Sequence, residues 1–129
     1  MARRALVERY TDGECLTFAF AVHWMTGFPV EALSERGSDK YLHFAAIAPD
    51  GRVWDADGPR DKATCAARYA DGPEWRRVDA MRLVTSQGGV DEEAVTEALK
   101  AAVILLGPAL DMYVRRLPEG LGDAPVPSP

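Results

Sequence analysis

The stretch from Tyr41 to Ala56 constrains the fold of this chain more than any other. Two apolar runs, Tyr41-Leu42-His43-Phe44-Ala45-Ala46-Ile47-Ala48 and Arg52-Val53-Trp54-Asp55-Ala56, flank Pro49-Asp50-Gly51. Their β-branched and aromatic content is that of strands. Pro-Asp-Gly suits a type I turn closed by a left-handed glycine bulge, a common three-residue hairpin loop. That loop sets the register, with Ala48 opposite Arg52, Ala45 opposite Asp55 and His43 opposite Asp57. Side chains alternate between faces, so His43, Ala45, Val53, Asp55 and Asp57 share one face. A two-residue loop would shift the pairing by one and send both aspartates to the other side. A carboxylate beside His43 is therefore expected.

Helices are expected around this hairpin. Arg3 to Tyr10 suits a short helix with Leu6, Val7 and Tyr10 inward. A second runs from about Glu14 to Thr26, with Asp12 or Gly13 near its cap and Gly27 as its stop. Apolar residues surround almost its whole circumference, which predicts a central, buried helix. Phe28 to Leu33 reads as a short edge-like strand, since proline is tolerated at a strand start. Ser34 to Lys40 is polar and reads as a loop. Asp61 to Tyr69 has a helical pattern, and Arg76 to Thr85 reads as a strand whose apolar members are Val78, Met81, Leu83 and Val84. The longest helix is expected from the cap Asp91 to Leu106, stopping at Gly107-Pro108. Residues 1–117 form one domain in this reading. Residues 118–129, rich in Pro and Gly, form a tail expected to be disordered.

Three residues on these elements carry chemistry. Cys15 stands at the start of the second helix, where unpaired backbone N–H groups favour a thiolate and can bind an oxyanion. His43 lies on the first strand of the hairpin and Asp55 on the second. A thiol, an imidazole and a carboxylate in this order are the parts of an activated cysteine nucleophile. Asp57 is directly opposite His43 in the simple ladder, and Asp55 is diagonal but within side-chain reach. Asp57, just before Gly58-Pro59, suits a turn better, which leaves Asp55 for the histidine. Taken singly, a cysteine in an apolar helix is more often a core residue, and a strand histidine is more often structural.

Gly13-x-Cys15 opening a helix, Thr26-Gly27-x-Pro29 closing it, then His43 and Asp50-Gly51-Arg52-x-x-Asp55 resemble the transglutaminase-like and papain-like cysteine hydrolase superfamily, in its small bacterial members. The resemblance spans about Tyr10 to Gly58. It implies an α+β fold in which the nucleophile-bearing helix packs on a small antiparallel sheet, with the Asp91–Leu106 helix covering more of that sheet. It also implies a hydrolase or acyltransferase acting on an amide: a peptide, an isopeptide or a glutamine side chain. Carried over residue by residue, Cys15 is the nucleophile, His43 the base and Asp55 the orienting acid. No cofactor is implied. Tyr10 is the one side chain considered as an oxyanion donor. The rival reading is a non-catalytic module on the same scaffold that binds a protein partner. A third reading joins Cys15 and Cys65 in a disulfide.

Composition narrows the remaining classes. At 129 residues the chain can bury a core without metal or disulfide staples. A net charge of −5 with scattered arginine pairs argues against a nucleic-acid partner. No segment reaches the ~20 apolar residues that span a bilayer, so no membrane partner is expected. The N-terminus lacks the apolar core of a signal peptide, so a cytoplasmic location with reduced thiols is expected. Cys15, His23, His43 and Cys65 lack the close spacing of a structural zinc site. His23 stands two helical turns from Cys15 and cannot serve as its base. Trp24 and Trp54 read as core, with Trp54 placed to shield the Asp55 region from water.

Overall fold

The computed structural model describes residues 3–12, 14–38, 40–69, 72–86 and 91–115. They form an α+β fold: α1 (Arg3–Asp12), α2 (Cys15–Thr26), β1 (Val30–Ser34), β2 (Tyr41–Ile47), β3 (Val53–Asp55), β4 (Gly58–Arg60), α3 (Lys62–Ala66), β5 (Glu74–Val78), α4 (Ala80–Ser86), α5 (Glu92–Leu106) and α6 (Pro108–Asp111). The five strands make one open antiparallel sheet in the order β4-β3-β2-β1-β5.

The all-round apolar character of α2 places it at the centre. It packs on the sheet on one side and on α5 on the other, with α1 and α4 at its flanks. Phe18, Ala21, Val22 and Met25 are buried among Ala46, Trp54, Leu99, Ala102 and Leu106. α5 therefore covers α2 rather than the sheet, touching the strands only weakly at β4. Gly27 ends α2 at φ 79, with its N–H donating to the His23 carbonyl. At the other end the N-cap is Glu14, which makes no side-chain capping bond. Its carboxylate is held instead by Arg9 Nε at 2.6 Å. The tail from residue 118 lies outside the described residues.

The central hairpin has the expected register. Ala46 pairs with Trp54 and Ile47 with Val53, and the Ala48 N–H donates to the Arg52 carbonyl at 3.0 Å. Gly51 has φ 87, and its N–H donates to Ala48 at 2.9 Å. A Cβ at Gly51 would meet nothing within 4 Å. The cost of Gly51→Ala is therefore purely conformational, and urea unfolding should show a loss of about 1–2 kcal/mol. A loss of only a few tenths would mean that the loop does not depend on the left-handed residue.

Three expectations are corrected. β1 is not an edge strand: β2 pairs on one side and β5 on the other, and all five of its residues are buried. Pro29 stands just before the paired segment, where its missing N–H costs the ladder nothing. The run Arg76 to Thr85 splits, with β5 ending at Val78 and α4 beginning at Ala80. Asp79 causes the break, because its Oδ1 accepts from the Arg82 N–H at 3.0 Å and its carbonyl from Leu83. Ala80 and Val84 then meet one apolar cluster, a helical spacing. Finally, β3 is only three residues long. The chain turns through Ala56 and Asp57 into the unanticipated strand β4, pairing Asp55 with Gly58. Asp57 is in that turn and not opposite His43.

Candidate active site

The sheet has two dissimilar faces. Ala46 and Trp54 point into the α2 core, whereas Ala45, Ile47 and Val53 point to a second cluster with Cys65, Tyr69 and Trp75. His43 and Asp55 belong to this second face by alternation. A bulge aims the histidine: Leu33 pairs with His43 and Ser34 with Tyr41, leaving Leu42 as an extra residue beside it.

His43 is wholly buried and Asp55 is 3% exposed. His43 Nε2 lies 2.8 Å from Asp55 Oδ2. A carboxylate only accepts, so Nε2 carries a proton and donates it to Asp55. Nδ1 has no protein hydrogen bond of ordinary geometry. The interaction of the Cys15 thiol with His43 favours the thiolate and the imidazolium together. His43 and Asp55 are thus joined directly, and Cys15 is coupled to His43 electrostatically.

Sequence reasoning missed three members. Arg60 NH2 donates to Asp55 Oδ2 at 2.6 Å, and Asp55 Oδ1 accepts the Asp57 N–H at 3.0 Å. Cys65 is fully buried and its Sγ donates to Asp55 Oδ2 across 3.7 Å. Tyr69 stacks on the His43 ring, 4.9 Å between centroids and 18° from parallel. It excludes water from the imidazole, the part expected of Trp54. Trp54 instead faces the opposite side, edge-on to Phe28 and Tyr113. The only signals for these residues were a Gly-Pro-Arg segment too short to read as a strand and a helical pattern ending at Tyr69.

Other candidates fall elsewhere. His23 donates from Nδ1 to the Phe28 carbonyl at 2.7 Å, a structural bond at the far end of α2. Tyr10 packs on Phe18 beneath the Arg9 guanidinium, not on Cys15. Both cysteines are free thiols, which overturns the disulfide reading. His43, Asp55 and Cys65 have ligand-type atoms within 4.8 Å of one another. The Arg60 guanidinium and the His43 proton already fill the same carboxylate oxygen, so a metal would have to displace both. Among the described residues no helix is long and apolar enough to cross a membrane.

The electrostatics follow from this packing. Burial pushes the Asp55 carboxyl up, but hydrogen bonds from His43 and Arg60 outweigh it and hold the carboxyl below its ordinary range. Burial pushes His43 down, but Asp55, Cys15 and Cys65 raise it to about 11. Burial pushes Cys15 up, and His43 with the backbone amides of Phe44 and Leu16 brings it below its ordinary value. Both shifts favour a thiolate–imidazolium pair.

Stability should record that pair. The folded chain holds a proton on His43 that the unfolded chain loses above about pH 6.5. The folded chain has also shed a Cys15 proton that the unfolded chain keeps up to its ordinary value of 9.0. The two effects oppose each other wherever folded Cys15 is ionised. Above pH 9 His43 acts alone, and its contribution falls by about 1.4 kcal/mol per pH unit until it titrates near 11. The unfolding free energy of the wild type relative to His43→Ala should thus drop from pH 9 to 11. A relative stability that climbs over that upper interval would contradict the ion pair. At the acid end Asp55 contributes above its ordinary value of 3.8, and that contribution is lost as pH falls through its depressed one.

No family model matches this chain, and no curated protein or solved structure is similar enough to it to count as a match.

Proposed function

We propose that this protein is a cysteine-dependent hydrolase or acyltransferase acting on an amide, as its resemblance to papain-like and transglutaminase-like proteins implies. One observation carries the reading: the buried imidazole of His43 is bound to Asp55 through Nε2 at 2.8 Å, and its interaction with the Cys15 thiol supports the role of base. In this mechanism the Cys15 thiolate attacks the amide carbonyl. The imidazolium then gives its Nδ1 proton to the departing amine, leaving an acyl thioester on Cys15. Water or a second amine attacks the thioester while His43 takes its proton, and Cys15 leaves as the thiolate. Asp55 keeps the ring oriented and stabilises its positive charge, and Arg60 keeps Asp55 anionic. The substrate class is a peptide, an isopeptide or a glutamine side chain of a protein.

A second observation favours the non-catalytic reading, in which the fold binds a protein partner. A cleft of about 610 Å³ lies beside Gly27, Pro29, Glu31, Ile47 and Tyr113. This is the end of α2 remote from Cys15, about 17 Å along the helix axis at 1.5 Å per residue.

Thiol reactivity separates the two. Cys65 is wholly buried, so native alkylation reports on Cys15. Iodoacetamide at pH 6 should modify Cys15 at least tenfold faster than a free thiol of pKa ~8.5, and His43→Ala should remove most of that excess. A Cys15 that reacts like the free thiol would favour the binding module.

A further inference from the structure

Glu31 is an acid within a strand whose five residues are all buried. On β1 it stands between Ala45 of β2 and Arg77 of β5. A buried carboxylate has to be paired. Arg77 NH2, directly across from it, donates to its Oε2 at 3.4 Å, and Lys62 Nζ at the start of α3 donates to its Oε1 at 2.9 Å. Two cations thus serve one carboxylate. An ammonium has three donors and a guanidinium five, so most of them are not used by Glu31. Both side chains stay partly open to solvent and line the cleft of about 610 Å³.

A third cation lines the same cleft. The Arg115 N–H donates to the Met25 carbonyl at 2.7 Å, which fixes that residue at the C-terminal end of α2. The Gly27 N–H takes the His23 carbonyl, so backbone donors offset part of the negative helix end. The Arg115 guanidinium lies over Gly27, its NH1 3.4 Å from where a Cβ would stand. Among the described residues that guanidinium has no hydrogen bond and no ion pair. Glu31 is the one acid among the described residues lining the cleft. Three cations less one carboxylate leave a surplus of two positive charges there, in a chain of net charge −5.

Arg115 and Gly27 also line a second cleft, of about 300 Å³, with Trp24 and Met81. The two clefts are neighbours at the Arg115–Gly27 contact. Among its described residues the second has no acid and is mainly apolar. An exposed methionine stands at each: Met112, 86% exposed, at the first and Met81, 50% exposed, at the second. Methionine is the side chain of adaptable binding surfaces. A small anion would use the cations and leave the apolar cleft empty. An extended chain uses both.

We propose that the two neighbouring clefts form a docking groove for an extended acidic peptide segment of a partner protein. Carboxylates of the segment meet Arg115 and the Lys62–Arg77 pair, and a large apolar side chain lies against Trp24 and Met81. Glu31 is the buried post that holds two of the three cations in place. The proposal deepens the protein-binding reading, on which it rests, and requires no chemistry at Cys15. Because the cations are partly solvated, binding weakens as salt rises.

The test pans a random heptapeptide library on the immobilised full chain. Recovered sequences should be enriched in Asp and Glu and carry at least one large apolar residue. The tightest binder is then labelled with a fluorophore and titrated by anisotropy. Arg115→Glu should weaken it about tenfold or more, since a like charge now faces the ligand. Lys100→Glu makes the same change of charge on exposed α5, outside both clefts, and should alter affinity by less than about twofold. If Arg115→Glu does not fold, Arg77→Gln decides: Glu31 keeps Lys62, and binding should weaken about threefold. Enrichment for basic or uncharged sequences overturns the acidic segment but leaves the binding module standing. Equal affinity in wild type and Arg115→Glu, or a library without binders, also overturns it, while the reactivity of Cys15 still decides between module and hydrolase. Inorganic phosphate is the last arm. If it displaces the peptide where sodium chloride of equal ionic strength does not, and alanine in place of the apolar residue changes nothing, the groove holds a small anion and the proposal fails.

Discussion

Cys15→Ala should abolish acyl transfer while leaving the fold intact. Losing the nucleophile of a nucleophile–base pair costs on the order of 10⁶ in turnover, because the remaining base has only water to activate. The structural cost is small by comparison. Cys15 is half-buried in the first turn of α2, and alanine is the best helix former. The sulfur does not support the main core, which is built from the next turns at Phe18, Ala21, Val22 and Met25. The charge balance also survives. Without a thiolate the His43 imidazole can release its Nδ1 proton and remain neutral, still donating from Nε2 to Asp55. Acylation by p-nitrophenyl acetate, followed as a burst of p-nitrophenolate and as an acetyl adduct by mass, should vanish in the variant. Its urea midpoint should move by no more than ~1 kcal/mol equivalent. A burst that persists would take the nucleophile away from Cys15 and end the triad reading.

How much of this was legible in the sequence depends on how local each signal is. The hairpin was legible because Pro49-Asp50-Gly51 specifies its own loop, and the loop specifies the register that puts Asp55 on the face of His43. Burial of α2 was legible because a helix apolar all round has no solvent side. What escaped reading depended on partners distant in sequence or on very short elements. Gly58-Pro59-Arg60 has only three residues, and it becomes a strand because β3 is already there to pair with it. Arg60 and Cys65 enter the site only through that turn, which folds the chain back across Asp55. The strand pattern read over Arg76 to Thr85 failed for a different reason. Short apolar runs satisfy periods of both 2 and 3.6, and the capping carboxylate of Asp79 decides between them. Trp54 was read as core, and it is; the shielding of Asp55 also ascribed to it fails because adjacent residues on a strand point to opposite faces. Tyr69, fourteen residues further on, is the ring that covers His43.

Asp55→Asn should cost both activity and stability, and the two losses have different origins. Oδ2 of Asp55 takes donors from His43, Arg60 and Cys65, while Oδ1 accepts the Asp57 N–H. If the asparagine oxygen keeps the Asp57 bond, its NH₂ group faces three donors. His43 can relieve its part of the clash only by moving its proton to Nδ1, so that Nε2 accepts. That tautomer presents an N–H to Cys15 and can no longer take the thiol proton. The expected loss is about 10⁴ in turnover, with the Cys15 alkylation midpoint rising toward the free-thiol value. Arg60 has no such escape, because a guanidinium stays charged and its side chain is only 15% exposed. Removing one partner of a buried pair costs about 3–5 kcal/mol, to be read from urea unfolding at pH 7. Asp57→Asn is the control. Asp57 is 28% exposed, pairs mainly with the exposed Arg68, and is 3.6 Å from Arg60, so its loss should cost under ~1 kcal/mol and change turnover little. The order is the decisive result. If Asp57→Asn is the more damaging to activity, the orienting carboxylate is Asp57 and the resting geometry around His43 is not the one that reacts.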